Sequence, residues 1–222
     1  MIPEELGVAQ LLRVIANHLQ RISMNWPLDA QKDLVFFGRQ VFHKHVYQKP
    51  PRIVNDDVWE FNTQSSSQWD GFRHFGYQKE AKFYNGVTLE DIHGENASNV
   101  NGIGAWSEKG IVGRGVLIDY HTWRVQNNIE YEPFRTGSIP LKHLKEILKS
   151  QGTELKFGDI LIIRSGYMDS YNKKSRSEIA ELVKVQPPCF AGVEQSEDML
   201  QWIWENFSAV AGDQPSFECW RK

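Results

Sequence analysis

The chain has 222 residues, enough for one domain with a substantial buried core, and its 25 basic and 28 acidic residues are well mixed, to a formal charge of −3. No basic stripe invites nucleic acid, no polybasic run invites an anionic membrane, and the longest apolar runs are strand-length, too short to span a bilayer. Met1-Ile2-Pro3-Glu4-Glu5 lacks the basic region and apolar core of a signal peptide, and Cys189 and Cys219 have no metal-type spacing, so reduced thiols in a cytoplasmic protein are expected.

In chain order, Leu11, Leu12, Val14, Ile15 and Leu19 repeat at helical spacing, and Pro27 closes that region. His43 and His45 alternate along a Val/Phe/Tyr-rich patch, which reads as a strand with an exposed face. The stretch Gln64-Ser65-Ser66-Ser67-Gln68-Trp69-Asp70-Gly71-Phe72-Arg73-His74 follows. Gln64, Gln68, Asp70 and His74 stand at even spacing, so in an extended segment all four project from one side. Such a convergent set of O and N donors suits a metal-centred hydrolase, while the bland alternative is a polar Ser-rich loop. Trp69 falls on the opposite face, where it is expected to pack the strand from behind.

Asn85-Gly86 suits a turn requiring positive φ, and Thr88 to Ile92 reads as a short helical turn. Gly113-Arg114-Gly115 precedes the strand Val116-Leu117-Ile118-Asp119-Tyr120. A dinucleotide fingerprint follows its strand and opens a helix, so this reverse order rejects the nucleotide reading. Ser138 and Pro140 open a helix with Leu141, Leu144, Ile147 and Leu148 on its apolar face and Gly152 beyond its end. The near-continuous apolar run from Ile160 to Ile163 is a strand expected to be buried on both faces. Met199, Leu200, Ile203, Trp204 and Phe207 mark a further amphipathic helix, and Ser208 to Asp213 a strand ending in a carboxylate. Helix-then-strand occurs twice, which indicates an α/β domain. Arg114 and Arg164 are expected in structural ion pairs.

The run Ser66 to Phe75 resembles the motif of the cyclase-like metal-dependent hydrolase family, in particular its fungal Gln-Trp-Asp branch. Asn25-Trp26-Pro27-Leu28, Tyr84-Asn85-Gly86-Val87, Gly110 to Leu117, Gly158 to Gly166, Phe190 to Glu194 and Ala209 to Asp213 are similar to that family in consistent order. The family includes kynurenine formamidases, isatin hydrolase and a dienelactone hydrolase. The resemblance implies a single α/β domain over 1–222 of the swivelling β/β/α type, with a central mixed sheet or partial barrel, flanking helices and homodimers or larger homo-oligomers. It implies hydrolysis of a C–N or C–O bond in a small cyclic or aryl amide, lactone or related carbonyl compound. In the better-known motif His-x-Gly-Thr-His-x-Asp-x-x-x-His, two histidines and the aspartate hold the metal and the last histidine is the acid/base. Here Gln64, Gln68 and Asp70 take the metal positions and His74 the catalytic one. The implied cofactor is one divalent ion, Mn, Zn or Mg, with amide oxygens shifting preference towards Mn or Mg. From their own positions, Phe72, Phe75 and Tyr77 read as substrate walls or equally as core residues, and Asp213, at the end of its strand, as a substrate-binding carboxylate or a cap for the following turn. Typical members continue beyond the region matching Gly212-Asp213 into a His-containing segment absent here. With the two Gln replacements, that absence supports the alternative of a catalytically impaired small-molecule binder or scaffold.

Overall fold

The computed structural model describes residues 22–135 and 137–220, so the helix expected over Leu11 to Leu19 lies outside the described residues. An antiparallel hairpin comes first, β1 (His43–Gln48) on β2 (Asn55–Glu60), with His43 opposite Glu60 and Gln48 opposite Asn55. Short helices α1 (Leu89–His93) and α2 (Gly104–Lys109) follow. The rest of the chain alternates: β3 (Gly115–Ile118), α3 (Tyr120–Gln126), β4 (Ser138–Ile139), α4 (Leu141–Gln151), β5 (Asp159–Ile163), α5 (Tyr167–Lys173), α6 (Arg176–Lys184), β6 (Gly192–Val193), α7 (Glu197–Asn206) and β7 (Phe207–Gly212).

This is an α/β architecture in which parallel and antiparallel pairing both occur, shared, among the described residues, between three small sheets rather than one. The central sheet is parallel with order β3-β5-β7, and β4 pairs with β6, also in parallel. Parallel neighbours need a crossover, and the helices between the strands provide it.

The core forms where apolar periodicities meet. Leu141, Leu144, Ile147 and Leu148, spaced by three and four residues, bury one stripe of α4 against Val116, Ile118, Leu161 and Ile163. The helix ends at Gly152, whose φ of +62° lets its N–H close on the Leu148 carbonyl. Two details differ from the sequence reading. Pro140, not Ser138, is the residue before the first turn, because Ser138 and Ile139 are drawn into β4 by pairing with Gly192 and Val193. In α7 the buried residues are Met199 and Trp202, with Ile203 packed beside them, while Leu200 and Trp204 face solvent.

β5 buries Asp159, Leu161 and Ile163 fully, but Ile160 and Ile162 only in part. Those two lie across Gly113 and Gly115: a Cβ at either glycine would stand 3.0 or 3.1 Å from an isoleucine Cδ1. The glycines before β3 therefore serve packing. A second cluster, Phe36, Phe134, Tyr167, Ile179 and Phe190, joins α5 and α6 to the loops on either side. The hairpin stands apart: every residue of β1, and all of β2 except Asp56, is exposed. His43 and His45 lie on its open face, as the alternation indicates.

Candidate functional site

The loop 64–74 is held by its own polar residues. Asn62 accepts the Gln64 N–H at 2.8 Å and its carbonyl accepts the Ser65 hydroxyl at 2.7 Å, which winds Thr63–Ser65 into one 3-10 turn. Ser66 donates its hydroxyl to the Trp26 carbonyl at 2.6 Å, and Ser67 accepts the Trp26 N–H at 2.8 Å. Beyond Ser67 the chain is irregular until a turn in which the His74 N–H reaches the Gly71 carbonyl. The extended segment expected from the even spacing is thus replaced by a turn and a loop. Serines and an asparagine offer the backbone local partners that compete with a strand ladder. Trp69 accordingly does not back a strand; its side chain is exposed.

The loop still gathers the predicted polar residues. The Gln68 side-chain amide donates to Asp70 Oδ1 at 2.5 Å, and His74 Nδ1 lies 3.7 Å from that same oxygen. Gln64 instead engages a residue that sequence reasoning missed. Arg39 donates to the Gln64 carbonyl at 2.8 Å and to Gln64 Oε1 at 2.6 Å. Its guanidinium also lies 4.6 Å from the Phe37 ring centroid. Burial lowers the Arg39 pKa from its ordinary value, and the negative charge of Asp70 opposes that shift. Arg39 stands 25 residues before Gln64 in a different segment, so no local spacing signals it.

The aromatic residues separate. Phe72 stacks on Tyr84, with centroids 4.5 Å apart, and meets Trp106 edge-on at 5.2 Å. All of Phe72, Phe75 and Tyr77 are exposed. Arg73, also missed, braces the loop by donating to the Val100 and Ser98 carbonyls. Two surface hollows of about 430 and 440 Å³ lie elsewhere, on α6 and at the base of the hairpin.

Asp213 sits at the carboxyl end of β7, where open parallel sheets present ligand sites. Its carboxylate accepts from the Ser165 N–H and hydroxyl at 2.6 and 2.7 Å, and from the Gly166 and Met168 N–H groups at 3.2 and 3.1 Å. Gly166 precedes α5 and has no capping side chain of its own, so Asp213 caps that helix from across the sheet. Tyr131, with its pKa raised by burial, and Tyr167, shifted the same way, lie close enough to feel its charge. At the same edge Arg164 pairs with Asp119 at 2.9 Å. At the other end of β5, Arg114 grips Asp159 with two bonds of 2.8 and 2.6 Å. Both arginines are in the structural ion pairs expected of them.

Among the described residues, no three His, Cys, Asp or Glu side chains converge to hold a metal ion. The donors at the loop are instead two amides and one carboxylate. One of them already holds a cation: the Arg39 guanidinium donates to Gln64 Oε1 at 2.6 Å. Oxygen donors of this kind favour hard divalent ions.

No curated protein matches this chain. A crystal structure of a novel cyclase shares its fold, with a TM-score of 0.71 at 23% identity, covering 99% of this chain and 73% of the other. The family model described as "Putative cyclase" matches residues 17–219, which include the 64–74 loop, the whole parallel sheet and Asp213. The chain belongs to the cyclase family.

Proposed function

We propose that this protein hydrolyses a C–N or C–O bond in a small cyclic or aryl amide, lactone or related carbonyl compound at the 64–74 loop, with His74 as acid and base. The observation that carries this reading is the linked group of Gln68, Asp70 and His74, open to solvent. Membership of the cyclase family supports it, since that family points to metal-dependent hydrolases and its members generally bind a divalent metal.

Gln64, Gln68 and Asp70 are the residues that would hold one divalent ion, Mn, Zn or Mg. When bound, it supplies a polarised carbonyl and a more acidic water. His74 removes the proton from the attacking water and returns it to the departing nitrogen or oxygen. The negative charge of Asp70, 3.7 Å from Nδ1, faces the imidazolium that forms when His74 takes up that proton. The exposed Phe72 ring, steadied by Tyr84 and Trp106, offers a flat wall for an aryl group, with Phe75 and Tyr77 on the same stretch of chain. Asp213 serves from a distance by fixing the turn that begins α5.

A second reading, a small-molecule binder or scaffold without turnover, is favoured by the occupied side-chain oxygen of Gln64. Two measurements separate them: metal content of the purified protein beside Asp70→Ala, and turnover of aryl amides and lactones by wild type beside His74→Ala. About one ion per chain, lost in Asp70→Ala, with turnover lost in His74→Ala at unchanged metal content, is the expected outcome. Ligand binding without turnover in both proteins would leave only the binder.

The same reading includes a homodimer. One face of the exposed hairpin carries His43 and His45 on β1 and Asp56 and Glu60 on β2, while Lys44 and Asp57 lie on the other face, paired at 3.6 Å. Two copies stacked face to face about an axis along the strands would set each basic strand over an acidic one. That cover would supply the packing partner that an isolated two-stranded hairpin needs in water.

A further inference from the structure

Arg39 lies where a loop brace and a metal competitor are different things. A brace for the loop needs only the bond from the guanidinium to the Gln64 carbonyl, at 2.8 Å. The second bond, at 2.6 Å to Oε1, engages the one atom through which Gln64 could coordinate a cation. The guanidinium is supported on its other side by the Phe37 ring, 4.6 Å from the centroid, and Phe37 is itself packed on Phe190 and Trp220. The backbone delivers it there by two successive left-handed residues, Phe37 at φ 64° and Gly38 at φ 62°. A bulky residue rarely adopts that conformation unless packing holds it.

We propose that Arg39 is a built-in competitor for the divalent cation: its guanidinium occupies the Gln64 donor, and the ion binds only when the bond between Nη2 and Gln64 Oε1 is broken. This inference rests on the metal reading above. The two cations exclude each other for two reasons. A guanidinium already bonded to the Gln64 oxygen draws on its electron density and blocks part of its approach, which weakens it as a metal ligand. Two positive charges sharing Gln64 and Asp70 also repel, in a partly buried place where water screens them poorly. Release is feasible because the Gln64 side chain can rotate its Oε1 off the guanidinium while the bond to the Gln64 carbonyl and the stacking on Phe37 persist. The loop therefore stays braced with or without the ion, and Arg39 sets the affinity rather than the shape of the site.

The test is Mn2+ binding to the full chain, read from the loss of the free-ion electron paramagnetic resonance signal, with folding checked by far-ultraviolet circular dichroism. Arg39→Met removes the charge and keeps bulk on Phe37; Arg39→Gln is a second neutral variant that can still donate to the Gln64 carbonyl, should the first not fold. Arg39→Lys keeps the charge. Losing one charge-assisted bond should raise Mn2+ affinity about ten- to a hundredfold in the neutral variants. Arg39→Lys should stay within about threefold of wild type. Equal, measurable affinity in wild type and both neutral variants would overturn the competitor and leave the metal site standing. No binding in any of the proteins would overturn both. Weaker binding in the neutral variants than in wild type would make Arg39 an organiser of the site, and also overturns the proposal.

Discussion

Replacing Asp213 by alanine tests how the parallel sheet is tied to the helix beyond it. The carboxylate accepts four hydrogen bonds, two from Ser165 and one each from the Gly166 and Met168 N–H groups. Alanine leaves those donors facing a short apolar side chain, and α5 with only the Ser165 hydroxyl, which accepts the Tyr167 N–H at 3.2 Å. A hydrogen bond to a charged acceptor contributes about 1.5–3 kcal/mol alone, but bonds to one group do not add fully. Taking about 1 kcal/mol each gives a loss of about 4 kcal/mol. For a chain of this size each kcal/mol moves the Tm by about 2–4 °C, so Asp213→Ala should melt about 8–16 °C lower. Asp213→Asn keeps one acceptor oxygen and should lose about half as much. Differential scanning calorimetry at neutral pH measures both. A drop below about 3 °C for the alanine variant would refute the capping argument and free Asp213 for a direct contact with substrate.

Two further outcomes follow from the ion pairs and the hairpin. Asp159 is held below its ordinary pKa of 3.8 chiefly by the hydrogen bond from Arg114, with help from the Lys156 N–H. A depressed carboxylate stabilises the fold above its unfolded pKa and loses that contribution as pH falls through the folded value. Arg114→Met should therefore be less stable than wild type at pH 7 by urea unfolding, and the gap should narrow as the pH drops below about 4; a gap of constant size from pH 7 to pH 3 would argue against the pair. Val58 shares the exposed hairpin face with His45. Val58→Lys should shift wild-type dimers towards monomer in sedimentation velocity, and a wild type that is monomeric at every concentration would remove the hairpin as an interface.

Much of the architecture was legible in the sequence because it rests on local periodicity. Leu141, Leu144, Ile147 and Leu148 bury as their spacing requires, and the apolar run from Ile160 forms a strand. The loop 64–74 was legible only in part: residue types and order identified Gln64, Gln68, Asp70 and His74, but even spacing implied a strand that the serines and Asn62 convert to a turn and a loop. Leu200 and Trp204 fit a helical stripe equally well, yet the direction in which α7 meets β7 exposes both.

By itself, then, the sequence determined the alternation of helix and strand and the family, because these are written in local periodicity and in the order of short motifs along the chain. The tertiary structure alone decided that Asp213 caps a helix on the adjoining strand's far side, and that Arg39 lies on Gln64. Those partners are 45 and 25 residues apart, and only packing brings them together. A hydrogen bond is directional and short-ranged, so its partner is chosen by the fold and not by the spacing of the chain.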